Sequence, residues 1–149
     1  MNKPIETDQD IEILVKRFEA CETARDGFPH LDHLVLAVWY LQTMSVPAAT
    51  AKMRTSLFRF LDHYQIDRRK YHETLTVFWV EKVAAFLTSM PVGSSLFEKC
   101  DEVRRSLGNK DLVLEFYSSE LLWSDAARNS FVTPDKKSWR EQPDAGKRE

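Results

Sequence analysis

Four histidines, His30, His33, His63 and His72, carry the chemical potential of this chain, because two share a helical face and another opens its most apolar segment. In "FPHLDHLVLAVWYL", residues 28–41, His30 and His33 are three apart, so on a helix they occupy neighbouring turns and can reach one target. Two neutral imidazoles so placed suit Zn²⁺, Fe²⁺, Mn²⁺, Co²⁺ or Ni²⁺, with a third histidine or a carboxylate from another helix completing an open site. A structural arrangement uses the same residues differently: His30 flanks the helix start, and His33 bonds to a neighbour such as Asp32. In "YHETLT", residues 71–76, His72 and Thr76 lie one turn apart on a face continued by Trp79, whereas Glu73 is rotated by about 100°. His72 is the better-placed partner for the first pair; alternatively it bonds to a loop carbonyl, with Glu73 favoured by the helix dipole. His63, after Asp62, falls at the edge of an apolar stripe and reads as a surface or interface residue. Glu19 borders the apolar face of the first helix, where a carboxylate is usually solvated but from which it could turn inward as an oxygen ligand.

Positioning these residues falls to helices. Gly and Pro are scarce, at 4 and 6 residues, and they separate segments whose apolar residues recur at helical spacing. A first helix is expected from Asp8 to Arg25, with Ile11, Leu14, Val15 and Phe18 on one face and Asp26-Gly27 ending it. The histidine pair opens a second, with Pro29 suited to its first turn. After Ser45-Val46-Pro47 a third places Ala49, Met53, Leu57, Phe60, Leu61 and Tyr64 on one stripe. A fourth runs from near His72 to Ser89, closed by Pro91. Its Leu75, Phe78, Trp79, Val80, Val83, Phe86 and Leu87 cover most of its circumference, which predicts a central helix. Ser95 and Glu98 form a capping-box pattern for a fifth, which Gly108 stops. Shorter pieces follow around Asp111–Tyr117 and Ser124–Ser130. Short connections favour an all-α antiparallel bundle of four main helices with shorter C-terminal helices packed across it. No internal repeat or low-complexity tract is visible.

At 149 residues the chain is long enough for one domain with a real core. Residues 1–133 read as that domain and 134–149 as a polar tail that packs over it and then frays. With 21 basic and 23 acidic residues the net charge is −2, which argues against nucleic acid as a partner. No apolar stretch near Met1 resembles an export signal, and no run approaches the roughly 18 apolar residues of a membrane span. Cys21 and Cys100 belong to no CxxC pair, so neither a disulfide framework nor a thiolate zinc site is indicated. A cytoplasmic protein, monomeric or a small homo-oligomer, is the expectation.

Phe18-Glu19, "FPHLDHLVLAVWYL", "YHETLT" with Phe78 and Trp79, and "LLWSDAARNSFVTPD", residues 121–135, together resemble a family of small bacterial proteins. Its members look like F-E…F-x-H-x-x-H-L…Y-L…Y-H-E-T-x-T…S-x-x-A-R…P-D, and the likeness covers most of the chain in the same order. Where that pattern has a Gly-containing turn before the tyrosine, this chain has Arg68-Arg69-Lys70. The resemblance implies that Glu19, His30, His33, His72, Glu73, Thr76, Arg128 and Asp135 occupy motif positions. Polar groups recurring on otherwise apolar helices mark a site.

The leading expectation is a small metal-dependent enzyme, hydrolytic or oxidative, acting on a small-molecule substrate. His30, His33 and His72 would hold a divalent metal (Zn, Fe or Mn) with Glu19 as fourth ligand, and Glu73 and Thr76 would act at the reaction centre. A metal-free version keeps an acid/base pocket, with His33 or His72 near neutral pKa and Glu73 or Asp32 orienting an imidazole. A binding module instead treats the histidines as structural. It gives the function to a surface drawn from 9 Phe, 4 Trp and 4 Tyr, with Trp123 or Trp139 exposed. Arg128 and Asp135 are expected to lock the tail rather than rim the pocket.

Overall fold

Four of the five long helices described begin on a side-chain cap that the sequence supplies. The computed structural model describes residues 5–23 and 29–140, and all regular structure among them is helical. Helix α1 (Asp8–Glu19) starts on a capping box in which the Thr7 hydroxyl accepts from the Asp10 N–H and the Asp10 carboxylate accepts from the Thr7 N–H. Helix α2 (His30–Leu41) follows Pro29, which stands at the cap position and supplies no side-chain bond. Ser45 caps α3 (Val46–His63), with Pro47 in its first turn. His72 caps α4 (Glu73–Leu87), and the Ser95/Glu98 capping box opens α5 (Leu96–Leu107) as its spacing predicts. A 3₁₀ turn at Arg68–Lys70 precedes α4; a longer 3₁₀ helix, Lys110–Glu115, leads to the short α6 (Ser119–Leu122) and α7 (Asp125–Asn129).

Helix α1 ends earlier than expected. Cys21 adopts φ +58°, and the Glu22 N–H bonds back to the Arg17 carbonyl while the Cys21 N–H bonds to Phe18, a left-handed cap on a residue other than glycine. Tertiary bonds hold that turn: Tyr64 Oη donates to the carbonyls of Cys21 and Thr23, and Arg59 donates to that of Glu19. Asp26-Gly27, expected to end this helix, lies outside the described residues. Helix α3 closes the same way through Gln65, φ +55°, with Ile66 N–H bonded to Leu61.

The fold is the all-α bundle expected, with the fifth long helix packed as fully as the other four. The centre belongs to α2 rather than α4. Leu34 to Val38 are each no more than 1% exposed, because α2 packs against α1, α3, α4 and α5 together. Helix α4 instead divides two clusters: Val80 and Val83 face the main core, while Phe78 joins Val113, Phe116, Tyr117 and Leu122 beneath the C-terminal helices. The chain after α7 completes that second cluster. The Trp139 ring meets Phe78 edge-on at 4.8 Å between centroids, and its Nε1 donates to Glu81, which also accepts a two-pronged pair from Arg140. Residues 134–140 are therefore built into the fold; 141–149 lie outside the described residues. No described helix is long and apolar enough to cross a membrane.

Candidate functional site

A cavity of about 570 Å³ opens between α2, α3, α4 and the 3₁₀ helix Lys110–Glu115. Its buried lining is mostly apolar, with Ala37, Met53, Phe60, Val80 and Val113. Lys70, Lys110, Asp111 and Trp123 are its exposed members and mark the mouth. Its polar groups are His72 and Thr76, as buried as those apolar residues, and the half-buried His30, His33 and Tyr71. A concave, mostly apolar space with a few convergent polar groups is the usual form of a small-molecule site. Helical spacing carried His30 and His33 to this wall from α2, and His72, Thr76 and Trp79 from α4, as expected; Glu73 points away from it, towards α3.

The α4 start is occupied by its own structure. His72 Nδ1 accepts from the Leu75 N–H at 3.2 Å, and Nε2 donates to the Leu122 carbonyl at 2.7 Å, so both ring nitrogens are engaged. The carbonyl can only accept, which assigns the proton to Nε2. Burial holds this imidazole below the ordinary histidine pKa, helped by the Arg128 charge and opposed by the bond to Leu122. A neutral ring with no remaining lone pair is a helix cap and a tie to α6; it has no electron pair to offer a metal.

Glu73 receives both prongs of the Arg54 guanidinium, at 2.9 and 2.6 Å, and Tyr71 Oη at 2.5 Å. Arg54 holds the Glu73 carboxyl below the usual range against the effect of burial, with Tyr71 assisting, so a general-base role does not suit it. Thr76, expected near the reaction, lines the cavity but gives its hydroxyl proton to the His72 carbonyl at 3.0 Å. Thr74, wholly buried, donates to the Ser130 carbonyl and accepts from the Val132 N–H. Each polar side chain of "YHETLT" thus fastens α4 internally, to α3, or to the C-terminal segment.

The α2 start is built differently. His30 Nε2 donates to the Leu107 carbonyl at 3.2 Å, which leaves the lone pair on Nδ1, and its ring meets Trp79 edge-on at 4.5 Å. Burial, reinforced by the nearby Lys110 charge and opposed by the Leu107 bond, lowers its pKa, so the imidazole is neutral at neutral pH. His33, one turn on, is half-buried on the same wall. Asp32 between them is raised in pKa by burial, against the pull of Arg104.

The four expected metal ligands are not assembled as a set. Glu19 lines a separate surface groove with Cys21, Arg59, His63 and Arg68, and its Oε2 accepts from Tyr40 Oη at 2.6 Å, which in turn meets Ser56 at 2.9 Å. With Glu19 there and His72 fully bonded, the donors present do not fit the expected four-ligand centre. Among the described residues no group of three or more His, Cys, Asp or Glu side chains is placed to hold a metal ion. His63 is exposed in that groove against Tyr64. Asp135 accepts from the N–H and hydroxyl of Ser118, fixing the chain after α7 to the start of α6. Arg128 reaches the Arg69 carbonyl and lies over the Trp123 ring. The two lock the C-terminal segment at separate points rather than as a pair.

Spacing alone did not reveal Arg54, Tyr71 or the lysines at the mouth, since their positions depend on how α3 and two 3₁₀ segments meet α4. Compared with known protein families, curated proteins and solved structures, the chain finds no match, and the roles of its motif residues are read from their contacts.

Proposed function

We propose that the cavity binds a small, largely apolar organic molecule, and that His30 and His33 meet its polar group, with His30 Nδ1 as proton acceptor. The observation that carries this reading is the cavity itself: apolar in depth, with two histidines from successive turns of α2 on its wall. A neutral imidazole whose Nε2 proton is committed to Leu107 is oriented to accept through Nδ1, the arrangement a general base needs. His72 belongs to the scaffold in this reading, and so does Glu73.

The reading is tested by calorimetric titration with decanol, a neutral apolar probe, against the full-length protein and against Leu114→Trp, which fills the cavity wall. Saturable binding to the first and its loss in the second, with both folded by circular dichroism, is expected. Equal binding to both, or to neither, overturns the reading. Metal analysis of the same protein with His30→Ala and His33→Ala addresses the metal-dependent alternative, which would have to recruit donors other than His72 and Glu19. Stoichiometric metal removed by both substitutions would replace the acid–base role.

A further inference from the structure

The mouth of the cavity carries charge that the apolar depth does not explain. The basic run before α4 is used unevenly. Arg68 pairs with Asp62 at 2.8 Å and Arg69 with Asp67 at 2.7 Å, both across the outer surface. Lys70, the next residue, lines the cavity instead. Lys110 stands on the 3₁₀ helix that forms another part of the wall, close enough to His30 for its charge to act on that ring. Neither lysine is in an ion pair among the described residues. One carboxylate, Asp111, shares the mouth with them. Helix α2 also lines this space from its first residue, His30, where the positive end of its dipole adds to the lysines and Asp32 in the same turn opposes it.

We infer that the ligand is an amphipathic anion: an apolar chain or ring seated against Met53, Phe60 and Val80, and a carboxylate head held at the mouth by Lys70 and Lys110. This inference rests on the small-molecule reading above and supplies its ligand class. Size agrees with it. At roughly 30 Å³ per heavy atom, the liquid share of one water molecule, the space takes on the order of ten to twenty heavy atoms. A medium-length alkyl carboxylate falls in that range. With its tail in the depth, its carboxylate lies at the mouth between Lys70 and Lys110, and the His30 Nδ1 lone pair is left for a proton-bearing group elsewhere on the ligand, since a carboxylate has no proton to give it.

The experiment compares decanoate with decanol on the full-length chain, read by calorimetry and by the fluorescence of Trp79 and Trp123, both on the cavity wall. Decanoate should bind about tenfold more tightly than decanol, the preference two partly screened ion pairs can supply. That preference should shrink as salt is raised, and should fall below about threefold in Lys70→Ser/Lys110→Ser. Decanol binding no weaker than decanoate overturns the anionic head and leaves the cavity reading intact. A preference that survives the double substitution or high salt overturns the role of the lysines. Failure of both probes to bind removes the small-molecule reading with it.

Discussion

The starts of α2 and α4 present histidines to the same cavity, yet they do opposite work. At α4 a histidine is the cap: both ring nitrogens of His72 are bonded, and its neighbours Tyr71, Glu73 and Thr74 tie the helix to α3 and the C-terminal segment. At α2 the cap position holds Pro29, which makes no side-chain bond to the first turn. His30 spends one nitrogen on Leu107 and keeps the other for its surroundings. The lesson is that a histidine is chemically available only when the local hydrogen-bond demand of its helix end is met elsewhere or leaves a lone pair over.

Breaking the α4 start should therefore cost most in stability. His72→Ala removes a cap and strands the Leu122 carbonyl in a buried place, a loss of about 2–4 kcal/mol on chemical denaturation. His72→Asn should restore about 1 kcal/mol of it by supplying the cap alone. If His72→Ala were as stable as wild type, the division between the two starts would fail.

A smaller effect is expected from Glu73→Gln, which weakens the pairing of a partly exposed Arg54. A loss of about 1–2 kcal/mol, discounted for the solvent that reaches Arg54, should appear in the same denaturation series. Decanol binding should be unchanged, because Glu73 does not line the cavity.

Acidification acts on the histidines at both helix starts. His72 and His30 both have folded-state pKa values below the ordinary 6.5, so on acidification the unfolded chain takes up these protons first. Stability is then complete above about pH 6.5 and declines below it, until the lowered folded values are passed. Each histidine adds a slope of no more than about 1.4 kcal/mol per pH unit. Glu73, depressed from its ordinary 4.5, adds a separate loss at lower pH as its folded value is passed. Denaturation from pH 8 to 5 should show a shallower decline for His72→Asn than for wild type; parallel curves would sink the assignment of a neutral buried His72.

The smallest stability change belongs to the α2 start. His30→Ala forfeits one half-buried bond, about 1 kcal/mol or less. Its effect should appear instead as weakened binding of a ligand with a polar head. A large stability loss without any binding change would make His30 a structural residue like His72.

Much of this was legible along the chain. Helical periodicity, the Ser95/Glu98 box and the placing of His30, His33, His72, Thr76 and Trp79 on inward faces need only local geometry, because 3.6 residues per turn decides which side chains share a side. Competition between partners in space is not local. Whether Glu73 is a base or half of an ion pair depends on Arg54, nineteen positions away. Whether His72 is a ligand or a cap depends on where the Leu122 carbonyl lies. The end of α1 is fastened by Tyr64 and Arg59, about forty positions on along the chain. Local pattern along the chain suffices for the helices and for the residues on their inner faces. Which of those polar groups are already bonded and which meet the cavity depends on how the helices pack, since a lone pair can be used only once.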